Sequence, residues 1–282
     1  MIAEATSLGE LADLSGRTAV VTGAARGFGA AIADRLAEAG ATVVVADVRT
    51  DEAAAAAARI ADRTGATCLA SHFDVTDETA VARAFAAWGA ERGPVDILVN
   101  NAGVFSNHLA HEMPMAEFDR ILTINVRGAY LCSQAALRQM RAAGRGAIVN
   151  VASVDACSTS AEGLTHYTTS KHAIAGMTRS LAVEAAPLGV RVNAVCPGAA
   201  MTEGAVELIA GGDDTGIDIE AQWDGIVDRT PLGRLCEPDD VARAVVFLAS
   251  DMAAFVTGVL LPVDGGILVQ PLEGYVAHGE GA

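Results

Sequence analysis

Tyr167 and Lys171 stand four residues apart in the stretch YTTSK, with small hydroxyl residues between them. On a helix that spacing puts both side chains on one face, one turn apart, so they reach into one cleft. A free phenol titrates near ~10, and using it as a base near neutrality means lowering that value by about three units, or roughly 4 kcal/mol. Burial works in the wrong direction, because it disfavours the phenolate. A cation is required. An ammonium about 5 Å away at an effective dielectric of ~20 supplies roughly 3 kcal/mol. The pair therefore reads as an acid/base, Tyr167, whose titration is shifted by Lys171. A surface helix carrying the two by chance is the competing reading.

Two more residues weigh against chance. Ser153 closes a predicted strand upstream, where its hydroxyl can bond a substrate oxygen lying between itself and Tyr167. Asn125 falls in the predicted helix before that strand, where an amide is a mediocre helix former and can hold a proton-relaying water for Lys171. Strand-end capping or a mid-helix kink would explain either one alone. Together the four form a candidate proton-transfer site.

A second cluster lies near the N-terminus. TGAARGFG places Gly23, Gly27 and Gly29 just after a predicted strand, as a helix opens. Glycines let a backbone turn sharply and approach a pyrophosphate, whose charge then sits against free N–H groups and the positive end of the helix. Asp47, at the end of the next strand, can accept hydrogen bonds from both ribose hydroxyls of an adenosine and would repel a 2′-phosphate. That favours NAD over NADP. Arg26 and Arg49 pull the other way, since a guanidinium pairs with phosphate. Asp47 carries more weight, because a buried clash of anions is costly while an arginine swings into solvent.

The positioning elements follow from β-branched runs at 18–22, 42–47, 67–73, 96–100, 146–153, 191–196 and 258–263, each followed by an alanine-rich amphipathic segment. Runs apolar on both faces suit a parallel sheet covered on two sides. The expected fold is thus α/β: a single doubly wound, Rossmann-like domain over 1–282 with a seven-stranded parallel sheet. Residues 1–15 read as an N-terminal extension and 267–282 as a tail. The glycine-interrupted acidic segment 199–230 reads as a lid over the substrate.

Composition narrows the partners. Hydrophobic residues make up 51% of the 282, and 35 acidic against 19 basic residues give a net charge of −16. Nucleic acid and anionic membranes are repelled by such a surface. The five scattered cysteines read as reduced thiols of a cytoplasmic protein. The histidines lack paired ligand spacing, so no metal is expected.

These residues resemble the classical short-chain dehydrogenases/reductases, from about Arg17 to about Gly266. TGAARGFG, including Arg26 and Phe28, is similar to the family's cofactor loop, and NNAG, with Asn101, Ala102 and Gly103, to its strand-four signature. Asn125, Ser153, Tyr167 and Lys171 match its catalytic tetrad, with Tyr167 and Lys171 also touching the cofactor. PGAAMT, with Pro197, Gly198, Ala200 and Thr202, matches its nicotinamide-contacting segment. Val48 follows the ribose-binding Asp47, and Asp74 with Val75 occupies the adenine-contacting position. The resemblance implies reversible hydride transfer between NAD and a carbon bearing a hydroxyl, in a homotetramer paired through the helices of Asn125 and Tyr167. Two departures stand out. Phe28 replaces a commoner aliphatic residue, and Ser153 lies fourteen residues before Tyr167, slightly farther than usual.

The substrate stays open between a partly apolar alcohol or ketone, met by Ala199, Met201, Val206, Leu208, Ile209 and Trp223, and a polar one, met by His108, Asp155, Glu162 and His166. Helix packing and a solvated loop explain the two sets as readily. Two other functions compete: NADPH-dependent reduction of a 3-oxoacyl group on an acidic carrier protein, disfavoured by mutual charge repulsion, and a non-catalytic NAD-binding sensor or scaffold.

Overall fold

In the computed structural model, residues 6–159, 161–204 and 219–269 are described, with side chains at 219–222 excepted. Seven strands, β1 (Thr18–Thr22), β2 (Thr42–Asp47), β3 (Cys68–His72), β4 (Ile97–Asn100), β5 (Gly146–Val151), β6 (Val190–Pro197) and β7 (Leu260–Val263), form one sheet in the order 3-2-1-4-5-6-7. Every neighbouring pair is parallel. The helices are α1 (Leu8–Ala12), α2 (Gly27–Glu38), α3 (Thr50–Thr64), α4 (Glu78–Arg92), α5 (Met115–Leu122), α6 (Ala129–Ala143), α7 (Thr165–Ala185), α8 (Ile219–Arg229) and α9 (Pro238–Ala249).

Alternation along each strand feeds two cores. Val21, Val43, Val45, Ile97, Val99 and Val149 point to one face, where Ile32 and Leu36 of α2, Ile60 of α3 and Val245 and Leu248 of α9 cover them. Val20, Val44, Leu98 and Ile148 point to the other, against Phe85 and Trp88 of α4, Met140 of α6 and Leu181 of α7. Hence the strands read as continuous apolar runs. Arg35 also joins α2 to α9, its Nε and Nη2 donating to the two carboxylate oxygens of Asp239 at 2.6 and 3.0 Å.

The strand order reverses between β1 and β4, so the loops leaving them diverge and open a crevice at the carboxyl edge. Observed strands match the expected runs with small changes at the ends. β5 stops at Val151, which leaves Ser153 beyond the strand as the cap of a short 3-10 turn, Val154–Ala156. β7 starts at Leu260, because Gly258 turns into the left-handed region at φ 75°. The expected extension anchors itself: Leu14 is buried and its N–H donates to the Ala39 carbonyl at 2.7 Å. Val206, Leu208, Ile209 and most of the tail lie outside the described residues. Among the described residues no helix is long and apolar enough to cross a membrane.

Ile148 is fully buried in the interior strand β5. Ile148→Ala is expected to lower stability by about 2–5 kcal/mol, read as a lower midpoint in urea-induced unfolding.

Candidate active site

The chain leaves β5, turns at Ser153, and re-enters as α7, whose first turns carry Tyr167 and Lys171. Lys171 is almost completely buried, and its Nζ donates to the Val151 carbonyl at 2.9 Å. The same Nζ lies 5.4 Å from the centre of the Tyr167 ring. The Ser153 hydroxyl acts on the Tyr167 phenol in the direction that lowers its titration. Phe105 flanks the ring from the other side, with centroids 5.6 Å apart.

Asn125 arrives by a different device. Between α5 and α6 the chain forms a π-helical turn, Thr123–Gly128, and Asn125 is buried within it. Such turns are characteristic of functional positions. Its Oδ1 accepts from the Val104 N–H and its Nδ2 donates to the Val104 carbonyl, both at 2.8 Å. Nδ2 also donates to Ser170 Oγ at 3.1 Å, and Ser170 in turn donates to the Tyr167 carbonyl at 2.7 Å. The amide expected to hold a water is thus engaged in tying the π turn to α7.

Electrostatics at the pair depart from the expectation. Burial pushes the Tyr167 phenol well above its ordinary value, a rise opposed by the Ser153 hydrogen bond and reinforced by the Asp155 carboxylate and Cys196. Burial likewise brings the Lys171 ammonium down to about 8, against the pull of Cys196 and Asp155. Among the chain's own groups, desolvation outweighs the ammonium. The lowered phenol expected from the sequence is therefore not produced by the lysine alone.

The glycine turn sits across the crevice. Gly23 has φ 62°, and a Cβ there would lie 2.8 Å from the Ala102 Cα; at Gly29 it would lie 2.2 Å from the Gly23 carbonyl oxygen. Neither position has room for a side chain. Asn101 Nδ2 donates to the Thr22 and Gly23 carbonyls at 2.9 and 2.8 Å, while Thr22 Oγ1 accepts from the Asn101 and Ala102 N–H groups. So Asn101 braces the loop. Gly103 lies close to Asn125, whose Oδ1 would be 3.4 Å from an added Cβ. Arg26 caps α2, Gly27 faces Thr202, and Phe28 packs half-buried on the α2 core.

Asp47 ends β2 nearly fully buried, accepting from the Ala25 and Arg49 N–H groups at 3.0 Å each. Val48 beside it is exposed, and the Arg49 side chain faces Glu52. Asp74 accepts from the Thr76 N–H and hydroxyl at 2.8 Å, while Val75 packs against Gly128 of the π turn. Pro197 closes β6, the Gly198 N–H donates to the Val263 carbonyl at 3.0 Å, and the Ala200 carbonyl accepts from the Thr202 N–H at 3.0 Å. These groups line the carboxyl edge of the sheet. A turn without room for side chains, facing a helix start and a carboxylate at the next strand end, fits a dinucleotide.

The polar substrate candidates divide. Asp155 and His166 are buried, which excludes the solvated-loop explanation for both; Glu162 is exposed and His108 half-buried. His166 is turned away toward Ser106, with Nε2 3.1 Å from that residue's hydroxyl and 3.1 Å from its carbonyl. Of the apolar candidates, Met201 is exposed and Ala199 and Trp223 are half-buried. Sequence reasoning passed over Ser170, Thr168 and Cys196. Ser170 had a visible signal, being one of the small hydroxyl residues inside YTTSK. Among the described residues, no three metal-ligating side chains converge.

Residues 23–268 match the family model described as enoyl-(acyl carrier protein) reductase. A cis-4-hydroxycyclohexanecarboxylate dehydrogenase of Sinomonas cyclohexanicum is 45% identical over 89% of this chain and 96% of its own length. An L-rhamnose 1-dehydrogenase (NAD(P)(+)) of Azotobacter vinelandii is 40% identical over 90% of this chain and 97% of its own. The crystal structure of a short-chain type dehydrogenase/reductase from Mycobacterium marinum superposes with a TM-score of 0.86 at 37% identity, covering 94% of this chain and all of that one. The chain is a short-chain dehydrogenase/reductase. As such it is an oxidoreductase acting on CH–OH groups, with a nicotinamide cofactor.

In this short-chain dehydrogenase/reductase the buried lysine has a consequence for stability. Its folded value of about 8 lies below the ordinary 10.5. Below about 8 the lysine is charged in both states and its burial opposes folding; between the two values the folded chain sheds the proton while the unfolded chain keeps it. Folding stability of the wild type relative to Lys171→Met is therefore expected to increase from pH 8 to pH 10, measured by urea titration at each pH.

Proposed function

We propose that the enzyme interconverts a secondary alcohol and a ketone with NAD, Tyr167 serving as acid/base, in a cytoplasmic homotetramer. The observation that carries this reading is the meeting of Ser153, Tyr167 and Lys171 at the carboxyl edge that also presents the glycine turn. When bound, NAD supplies the hydride acceptor for oxidation, and its reduced form the hydride donor for the reverse.

The chain's part is proton transfer and orientation. In oxidation Tyr167 takes the proton of the substrate hydroxyl; in reduction it returns that proton to the nascent alkoxide. Ser153, acting on the phenol, orients the substrate oxygen against it. Protonated Lys171 favours the phenolate and is itself oriented by the Val151 carbonyl. Asn125 and Ser170 hold the first turn of α7 at fixed distance from the 104 loop. Exposed Tyr130 on α6 and Val183 on α7 suit helix pairing between subunits.

For the cofactor, Asp47 supports NAD. A 2′-phosphate would bring anion against a carboxylate already buried among two backbone N–H donors. Calorimetric titration is expected to give NAD at least about tenfold tighter binding than NADP, and Asp47→Ala to narrow that ratio. Tighter binding of NADP would overturn the assignment.

For the chemistry, a panel of cis-4-hydroxycyclohexanecarboxylate, L-rhamnose and cyclohexanol is assayed for NAD reduction. Tyr167→Phe is expected to abolish whatever turnover is found, by at least about a thousandfold, while leaving NAD binding intact. Oxidation should rise with pH as Tyr167 loses its proton. Lys171→Ala should displace that limb to higher pH, and an unmoved limb would remove the lysine from the mechanism.

A further inference from the structure

Asp155 is two residues beyond Ser153 and almost fully buried, yet it belongs to no motif that marked the site. Its Oδ2 accepts the Ser153 hydroxyl proton at 3.1 Å, and its own N–H donates back to Ser153 Oγ at 3.1 Å. Its Oδ1 accepts from Thr168 Oγ1 at 3.0 Å. One carboxylate thus bridges the exit of β5 and the helix turn that carries Tyr167.

The bookkeeping at Ser153 is decisive. A serine hydroxyl has one proton to give and two lone pairs. The proton goes to Asp155 Oδ2 and one lone pair takes the Asp155 N–H, while donation of that same proton toward Tyr167 is what would hold the phenol down. That pattern suits a neutral phenol. A phenolate needs a donor, which Ser153 provides only by withdrawing its proton from the carboxylate. We propose that Asp155 is a positioning residue that competes with Tyr167 for the Ser153 proton and so biases the phenol toward its protonated, proton-donating form.

This rests on Tyr167 being the acid/base and extends that reading to direction. The other titratable groups facing the phenol are Lys171 from α7 and Cys196 from β6, the latter in contact with Cys157 of the turn. Burial holds the Cys196 thiol up to about 12, so it stays neutral over the working range. His166 faces Ser106 and lies outside this set. Asp155 is therefore the negative charge through which the pocket resists phenolate formation, and its removal should favour oxidation relative to reduction.

The test is an NMR titration of the NAD-mixed enzyme containing tyrosine isotope-labelled at Cζ. The chain has three tyrosines, Tyr130, Tyr167 and Tyr275, so Tyr167→Phe assigns the signal. Asp155→Asn is expected to lower the Tyr167 midpoint by at least about half a pH unit, and Asp155→Ala, should the first variant fold poorly, to move it the same way. With an alcohol turned over by the wild type, the ratio of kcat for oxidation to kcat for reduction at neutral pH should rise about threefold. A midpoint that stays or rises, or a phenol that remains protonated in wild type and variants alike, overturns the proposal. Turnover surviving in Tyr167→Phe would instead sink the acid/base reading itself; loss of turnover there with an unmoved midpoint sinks only the role of Asp155.

Discussion

Withdrawing a half-buried phenol and a nearly fully buried ammonium from water together is the constraint around which this site is built. Desolvation raises the phenol and lowers the ammonium, so both groups drift toward neutrality. Nothing in the Tyr167–Lys171 spacing prevents that. What counters it is the Val151 carbonyl on the ammonium and the Ser153 hydroxyl beside the phenol. Both come from the exit of β5 and act on side chains of α7. The fold matters because it delivers them to one place.

The delivery relies on a parallel sheet. Since all seven strands point the same way, every loop at their carboxyl ends falls on one edge, and the reversal between β1 and β4 parts the loops there. Close backbone approach across that crevice then excludes side chains at Gly23 and Gly29. Asn101 shows how tightly the parts are tied, for its amide holds the carbonyls of a loop 78 residues away. The glycine turn and the β4 exit behave as one braced unit.

Two buried aspartates show how surroundings divide the work of one side chain. Asp47 accepts from two backbone N–H groups, which hold it in place at the end of β2. Asp155 accepts from hydroxyls, whose protons can be redirected. The first is held by donors that cannot turn away. The second, on the reading proposed above, shares a proton donor with the acid/base phenol.

The amino-acid sequence by itself determined the alternation of strands and helices, the glycine turn, Asp47 at a strand end, and the four polar residues of the candidate proton-transfer cluster. Those features are local: periodicity follows from backbone geometry, and motif spacing survives without knowledge of partners. Only the tertiary structure decided the rest. It put Asn125 in a π turn with its amide engaged by Val104, and it buried Asp155, which the sequence left open between a substrate contact and a solvated loop. It also showed burial overriding the ammonium at Tyr167. Desolvation and hydrogen-bond partners are properties of neighbours brought from distant parts of the chain, and no count of intervening residues reveals them.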